Sequence, residues 1–388
     1  MSNSFHIVQV GLDEDVFDEK AAQDSRARQI SYAQKFKKNN NKIHLTNIVL
    51  TQNASLEKEE LEDVTFIPCL FFRLRHIPSL TKFLNKFGKE NKVLIVTTQD
   101  IHGIFWGAVL FSFLEKVPVI GQVHYDLSSP SARKELFEDL YGRLYEWFAL
   151  RLIKLFDGIR VVNNATKIFI ENTGYKKPVL VSPVPVTTYM AKGDETVKKW
   201  NYQGTLRVLF VGRLVQAKNL DCWIETARAT LLENKNLEFA MIGEGAERKR
   251  IEQYADDCGI RDRIQFVGAL QPETLASWYA SADVLLLTSS HEGFGRVIVE
   301  AMNYNVVPVS TNVAGPGEII KNTSNGFLEE ADPELLAKHL IYLEENRDIL
   351  KTMGSRAKET VLERYSPEKL QDKWVDFVSS FIKNLPDN

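Results

Sequence analysis

The stretch Asp283–Met302, DVLLLTSSHEGFGRVIVEAM, restricts the fold more than any other part of the chain. Val284–Leu287 is a continuous apolar run of β type, the pattern of a parallel strand buried on both faces. A short polar turn follows, carrying Ser289, Ser290, His291, Glu292, Gly293 and Gly295, and a helix is expected from about Arg296. In open α/β sheets ligands bind just beyond the carboxyl ends of the strands, where this turn falls. A helix starting there aims unpaired N–H groups and a partial positive charge at a nearby anion. Glu292 stands at the lip, and Glu300 follows about two turns along the helix.

The same strand, turn and helix rhythm recurs along the chain. Strands are expected at His6–Val10, Ile43–Leu50, Val93–Thr97, Val117–Val123 and Ile159–Asn163, with helices at Ser25–Lys37 and 132–155. Val179–Val186, with Pro178, Pro183 and Pro185, reads as a linker. A second series then runs through Arg207–Val211, Leu237–Ile242, Ile264–Val267, Asp283–Thr288, Val306–Ser310 and Gly326–Leu328. At 388 residues the chain exceeds what one core usually covers. The expectation is therefore α/β, with two doubly wound Rossmann-like domains, 1–188 and 189–365, facing across a cleft. The helix from Pro367 to Lys383 spaces Trp374, Phe377 and Phe381 along one face, so 366–388 is expected to return to the first domain.

Several strand ends deliver polar clusters. Thr98, Gln99, Asp100 and His102 follow one strand, and His124, Tyr125 and Asp126 follow its neighbour, which suggests a shared crevice. His102 is read as structural. His124 is read as functional, with Asp126 placed to orient its imidazole. In the second series Gly212-Arg213-Leu214 and Lys218 set two cations about a glycine turn, a pattern that neutralises phosphate. Gly243-Glu244-Gly245 is no dinucleotide fingerprint, because Arg248 replaces the third glycine, and it reads as a tight turn close to a nucleotide.

Charge and cysteine content remove other classes. A net charge of −3 argues against nucleic-acid binding. The chain carries 24 basic and 21 acidic residues up to Met190, against 24 and 30 after it, an asymmetry that suits an anionic acceptor or membrane surface and that solvated charge alone explains as well. Cys69, Cys222 and Cys258 lack metal-type pairing and read as reduced structural thiols. Asp13–Glu19 is acidic where a secretory leader needs an apolar segment, so a cytoplasmic protein is expected. Leu70–Phe87 mixes aromatics with Arg73, Arg75, His76, Lys82 and Lys86. It reads as an ordinary amphipathic helix, with peripheral membrane contact as the alternative.

Seven segments in order, TTQDIHGIFWG, PVIGQVHYD, VGRLVQAKNLD, IGEGAERKRIE, FVGAL, SSHEGFGRVIVEAM and VAGPGEII, resemble the family 4 retaining glycosyltransferases of GT-B fold. That resemblance implies a nucleotide-diphosphate sugar as donor, a UDP- or GDP-sugar first, with no prosthetic group and no metal, and a glycan or lipid-linked acceptor. It implies that Arg213 and Lys218 hold the diphosphate, that Glu292 sits by the donor sugar, and that Gly293, Phe294 and Gly295 bring backbone amides to sugar and phosphates. Glu300 would accept hydrogen bonds from the ribose, with Gly243 beside the nucleotide. His124 would lie near sugar and acceptor, and Asp100 and Asp126 on the acceptor side. Two segments depart from the family pattern. Gly11 stands alone where a Gly-Gly turn is common, so Ser25, Arg26 and Arg28 become candidate acceptor contacts. The loop before Glu318 reads Ala314-Gly315-Pro316-Gly317. The competing readings are a catalytically silent nucleotide- or glycan-binding protein, a nucleotide-sugar epimerase and, third, a hydrolase on this scaffold.

Overall fold

Strand order places the chemistry in this molecule. The computed structural model describes residues 4–17, 23–70, 76–101, 105–136, 150–186, 200 and 204–382. His102, Arg73, Arg75 and the middle of the expected 132–155 helix lie outside those residues. The chain divides into two compact units: Met1–Ser128, Arg133–Pro185 and Pro367–Asn388 form one, Ser129–Ala132 and Val186–Ser366 the other.

The first unit is built on strands β1 (Phe5–Gly11), β2 (Ile43–Thr51), β3 (Glu59–Glu60), β4 (Val64–Leu70), β5 (Lys92–Thr98), β6 (Val119–Val123), β7 (Gly158–Val161) and β8 (Val179–Val181). Their order is β3-β4-β2-β1-β5-β6-β7-β8, and every pairing is parallel except β3 with β4. Two of these strands depart from the sequence reading. Val179–Val181, read as linker, pairs with Ile159–Val161 as the edge strand. Val64–Leu70 was not anticipated, because Pro68 interrupts its pattern, yet it pairs with Leu45–Thr51 along its whole length. Pro68 lies past the residues that β3 covers, and sheet edges tolerate a missing N–H.

Side chains alternate across these strands, so neighbours such as Ile7 and Val8 enter different cores. On one face Val8, Val10, Ile48 and Val96 pack with Leu80, Leu84 and Phe111. The last three come from helices His76–Glu90 and Trp106–Glu115. On the other face Ile7, Leu45, Phe66 and Ile95 meet Tyr32 and Phe36 of helix Gln23–Asn39. The same core holds Trp374, Val375 and Val378 of helix Pro367–Ile382. That helix is tied down by Ser31 Oγ donating to Gln371 Oε1 at 2.7 Å and by Lys35 with Asp372 at 2.5 Å. Gly158 lets it approach, since a Cβ there would stand 2.6 Å from the Phe381 ring and 3.0 Å from the Phe377 ring.

The second unit carries β9 (Leu206–Val211), β10 (Leu237–Ile242), β11 (Ile264–Gly268), β12 (Val284–Leu287), β13 (Val307–Thr311) and β14 (Phe327–Glu329), all parallel, in the order β11-β10-β9-β12-β13-β14. Trp223, fully buried on helix Leu220–Glu233, meets Phe210 and Phe239 edge to face at 6.2 and 5.6 Å.

Candidate functional site

In the second sheet the chain steps outward from β9 to β11 and resumes at β12 on the other side of β9. The carboxyl ends of β9 and β12 therefore form the topological switch point, where ligands of open α/β sheets bind. The loops that follow those strands are Gly212–Asn219 and Thr288–Gly295. They are fastened to each other: Thr288 Oγ1 donates to the carbonyls of Lys218 and Asn219 at 3.1 and 3.0 Å, and the Ser290 N–H to Ala217 at 2.9 Å. From the far side Thr311 Oγ1 donates to the Ser289 carbonyl at 2.7 Å and the Gly315 N–H to that of Glu292 at 3.0 Å. Lys218 and Glu292 thereby face each other as an ion pair of 2.5 Å, each side chain less than a fifth exposed. Arg213 is exposed on the first of the two loops.

Backbone approach explains the glycines. Gly243 has φ +141°, and a Cβ there would lie 1.8 Å from the Gly212 carbonyl oxygen, so the turns after β10 and β9 are in direct contact. Gly295 takes φ +87° at the head of helix Arg296–Met302. That helix has only seven residues, so a macrodipole contributes less than its sequence suggests and the loop amides matter more. The altered loop before Glu318 forms the short helix Ala314–Ile319. A Cβ on its Gly315 would fall 2.5 Å from the Phe294 carbonyl.

Glu300 is preorganised from both sides. Arg296 Nε donates to Oε1 at 2.6 Å and the Tyr279 hydroxyl to Oε2 at 2.9 Å. Tyr279 is buried and stacks on Tyr304 at 5.8 Å, and burial followed by the Glu300 charge raises its pKa well above the ordinary phenol value. An ionised carboxylate has about four acceptor positions, so each oxygen retains one for a ligand hydroxyl. Sequence reading named Glu300 but not Tyr279, whose position inside an ordinary amphipathic helix carries no motif.

In the first unit, the loop after β1 is clamped by Gln99: its Oε1 accepts the Leu12 N–H at 2.7 Å and its own N–H donates to Val10 at 2.9 Å. A Cβ on Gly11 would stand 2.8 Å from that Oε1. The carboxamide thus stabilises a turn that has one glycine instead of two. His124 keeps some accessible surface but is densely enclosed; burial first, then Arg160 and Arg28, lowers its pKa to about 3, leaving a neutral imidazole at pH 7. Asp126 turns away from it, accepting from the Ser128 N–H at 2.9 Å and from Thr166 Oγ1 at 3.5 Å. An Asx-type turn takes the carboxylate that the sequence assigns to the imidazole. Asp100 accepts from the Ile101 N–H at 2.6 Å and the Tyr125 hydroxyl at 3.2 Å.

Arg26 pairs with Glu59, donates to the Val16 carbonyl at 2.9 Å and lies over the Phe66 ring. Arg28, two residues on, lines a polar cavity of about 130 Å³ with Gly11, Gln99, His124, Arg160 and Trp374. Arg160 was overlooked in the sequence, although a charge inside the apolar run Gly158–Val162 is itself a signal.

Residues 193–360 match the sequence model of the family "Glycosyl transferases group 1". An uncharacterized glycosyltransferase of Methanocaldococcus jannaschii is 31% identical over 170 residues, 44% of this chain and 43% of that protein. The chain spans about two-fifths of the length of the first curated relatives it matches. A Campylobacter jejuni α-1,4-N-acetyl-D-galactosaminyltransferase acting on a GalNAc-containing undecaprenol-linked glycan is 26% identical over 264 residues, 66% of this chain and 70% of that protein. The crystal structure of Anabaena HepE in complex with UDP superposes with a TM-score of 0.72 at 17% identity, covering 97% of this chain and 100% of that one. The protein thus has the GT-B fold, and most of its second unit matches the sequence model of the glycosyl transferases group 1 family.

Proposed function

We propose that this protein is a retaining glycosyltransferase that moves a hexose-type sugar from a nucleotide-diphosphate sugar to a glycan, glycolipid or similar acceptor in surface polysaccharide or glycolipid synthesis. The observation that carries this reading is the switch-point cluster in which two fastened loops hold Lys218 against Glu292, with Arg213 on one loop and Glu300 one helix further on.

Cleavage of the anomeric C–O bond leaves negative charge on the departing diphosphate. Arg213 and Lys218 neutralise that charge, and the amides of Gly293–Gly295 add fixed dipoles that need no reorganisation. Glu292 contacts the donor sugar, and Glu300, held by Arg296 and Tyr279, takes the ribose hydroxyls. His124, neutral, offers a hydrogen bond near sugar and acceptor. The two cations, Arg213 and Lys218, meet the charge demand of the leaving group. UDP and GDP are the first nucleotides to try, UDP because HepE is solved with it. No helix among the described residues is long and apolar enough to cross a membrane, and we assign the protein to the cytoplasm, in peripheral contact with lipid when its acceptor is lipid-linked.

The test is thermal stability with UDP, GDP and ADP, followed by sugar transfer from the matching nucleotide sugars. A ligand at about a hundred times its Kd adds about 2.7 kcal/mol. A rise with one nucleotide and transfer from its sugar support the reading. The absence of any rise at millimolar nucleotide points to a silent binding protein, and sugar conversion without acceptor points to an epimerase.

A further inference from the structure

Arg160 is 2% exposed in β7 and forms no ion pair with any carboxylate among the described residues. Its guanidinium donates to the carbonyls of Ser182 at 2.8 Å and Pro183 at 2.6 Å and to Gln122 Oε1 at 3.3 Å, and lies over the Trp374 ring at 5.0 Å. These contacts satisfy N–H groups, and among the described residues no carboxylate compensates the charge. Arg28 is a second cation on the same cavity, and the one carboxylate lining it among the described residues, Asp13, accepts from Ser25 Oγ at 2.5 Å. A desolvated charge without a counter-ion costs several kcal/mol, which neutral water does not restore.

Three buried polar atoms on the cavity are also unpaired: Gln29 Oε1, the Tyr32 hydroxyl and Asn47 Nδ2. Tyr32 stands close enough to Arg160 to favour its charge but makes no hydrogen bond of acceptable geometry. Each such atom costs about 1–3 kcal/mol. Two of the three donate hydrogen, which suits an anion; the third accepts, which suits a hydroxyl on the same molecule. A volume of about 130 Å³ holds a carboxylate or phosphate with part of its carrier.

We propose that this cavity seats an anionic, hydroxylated group of the acceptor, a carboxylate or a phosphate monoester, with Arg160 as its buried counter-charge and Tyr32 and Asn47 as its neutral donors. The inference deepens the glycosyltransferase reading and rests on it for the word acceptor; the anion site itself stands on the first unit alone. The acceptor is then an acidic sugar, a sugar phosphate or another polyol phosphate, and its neutral counterpart is a poor one. An anion seated there offsets the two guanidiniums that, after burial, help hold His124 neutral.

The experiment follows thermal stability at fixed ionic strength with inorganic phosphate, glucose 6-phosphate, glucuronate and glucose, for the wild type, Arg160→Met, Tyr32→Phe and Arg213→Ala. The expected result is a saturable rise with phosphate and glucose 6-phosphate, or with glucuronate, and none with glucose. Arg160→Met removes it, Tyr32→Phe weakens it about tenfold, and Arg213→Ala leaves it intact, since donor phosphates bind elsewhere. Phosphate against glucuronate decides which anion is taken. No saturable rise at tens of millimolar, or a rise lost in Arg213→Ala and kept in Arg160→Met, overturns the proposal. Should Arg160→Met fail to fold, the tenfold loss in Tyr32→Phe decides alone. UDP and GDP responses on the same samples separate the two readings. Nucleotide binding without the anion response sinks only this site, and the reverse sinks only the donor assignment.

Discussion

Lys218 Nζ lies 2.5 Å from Glu292 Oε2, so the cation assigned to phosphate and the carboxylate assigned to sugar are each other's counter-ion. A diphosphate that draws Lys218 away frees Glu292 at the moment the sugar arrives. Removing either partner should therefore have unlike effects. Lys218→Ala is expected to raise the donor KM and lower kcat. Glu292→Gln is expected to lower kcat about a hundredfold while the nucleoside diphosphate binds as tightly as before or a few-fold tighter. Steady-state kinetics with product inhibition measures both, and parallel losses of binding in the two variants would disprove the coupling.

Glu300 is held between Arg296 and Tyr279 with acceptor positions to spare. Hydrogen bonds to a charged group contribute about 1.5–3 kcal/mol. Glu300→Ala should weaken nucleotide binding about ten- to a hundredfold with the thermal midpoint little changed. Tyr279→Phe should give a smaller loss in the same direction. Calorimetric titration with the nucleotide that stabilises the wild type checks this. Unchanged affinity in Glu300→Ala would move the nucleoside away from this helix.

Gly243→Ala places a Cβ 1.8 Å from the Gly212 carbonyl at a backbone φ of +141°, where an L-residue is strained as well as crowded. The turns after β9 and β10 must separate to accept it. A stability loss of about 3 kcal/mol or more is expected, with nucleotide binding lost in whatever remains folded. Urea unfolding measures the first. A variant of wild-type stability would mean that the two turns are free to part.

Three histidines make the protein acid-sensitive well above the carboxylate range. His6 is lowered to about 4 by burial and then by His44 and Lys58; burial also lowers His44; His124 is lowered to about 3. Their unfolded values are about 6.5, so below that pH the unfolded chain takes up protons that the folded one refuses. Stability is therefore full above pH 6.5 and falls as pH drops toward 4, with a slope of up to about 1.4 kcal/mol per pH unit for each histidine. Glu59, held below the ordinary carboxylate range by Arg26, adds to the loss only below about 4.5. Urea midpoints between pH 7.5 and 4.5 test this. His6→Gln should flatten the profile, and an unchanged slope would count against the histidine origin.

Sequence carries the parts of this molecule that local chemistry decides. Parallel strands buried on both faces, such as Val284–Leu287 and Leu237–Ile242, are apolar runs, the second broken only by Glu238, and each leads into a turn that carries glycine. Arg213 and Lys218 follow β9, Glu292 follows β12 and Glu300 lies on the helix beyond it, each within one short motif of the sequence. The first unit is less legible because its cavity is assembled across the chain. Arg28, Gln99, Arg160 and Trp374 come from a helix, a loop, a strand and a distant helix, and no window of sequence contains two of those four. The proline-bearing strands fail for a different reason. Val64–Leu70 is interrupted by Pro68, and Val179–Val181 is shadowed by Pro183 and Pro185, so the edge of a sheet is mistaken for loop.

Helix Pro367–Ile382 belongs to the first unit although nearly all of the second, Val186–Ser366, is spelled before it. During synthesis Arg160 is made some two hundred residues before Trp374, the ring that covers it. Until that ring arrives, one wall of the cavity is bare sheet, and Gly158 and its neighbours are open to water or to any chaperone that reads exposed apolar strand. The second unit, complete by Ser366, can mature while the ribosome is still at work; the other must wait. In this chain closure of that cavity is a late event of translation, and synthesis that stalls before Trp374 leaves a protein with one finished half.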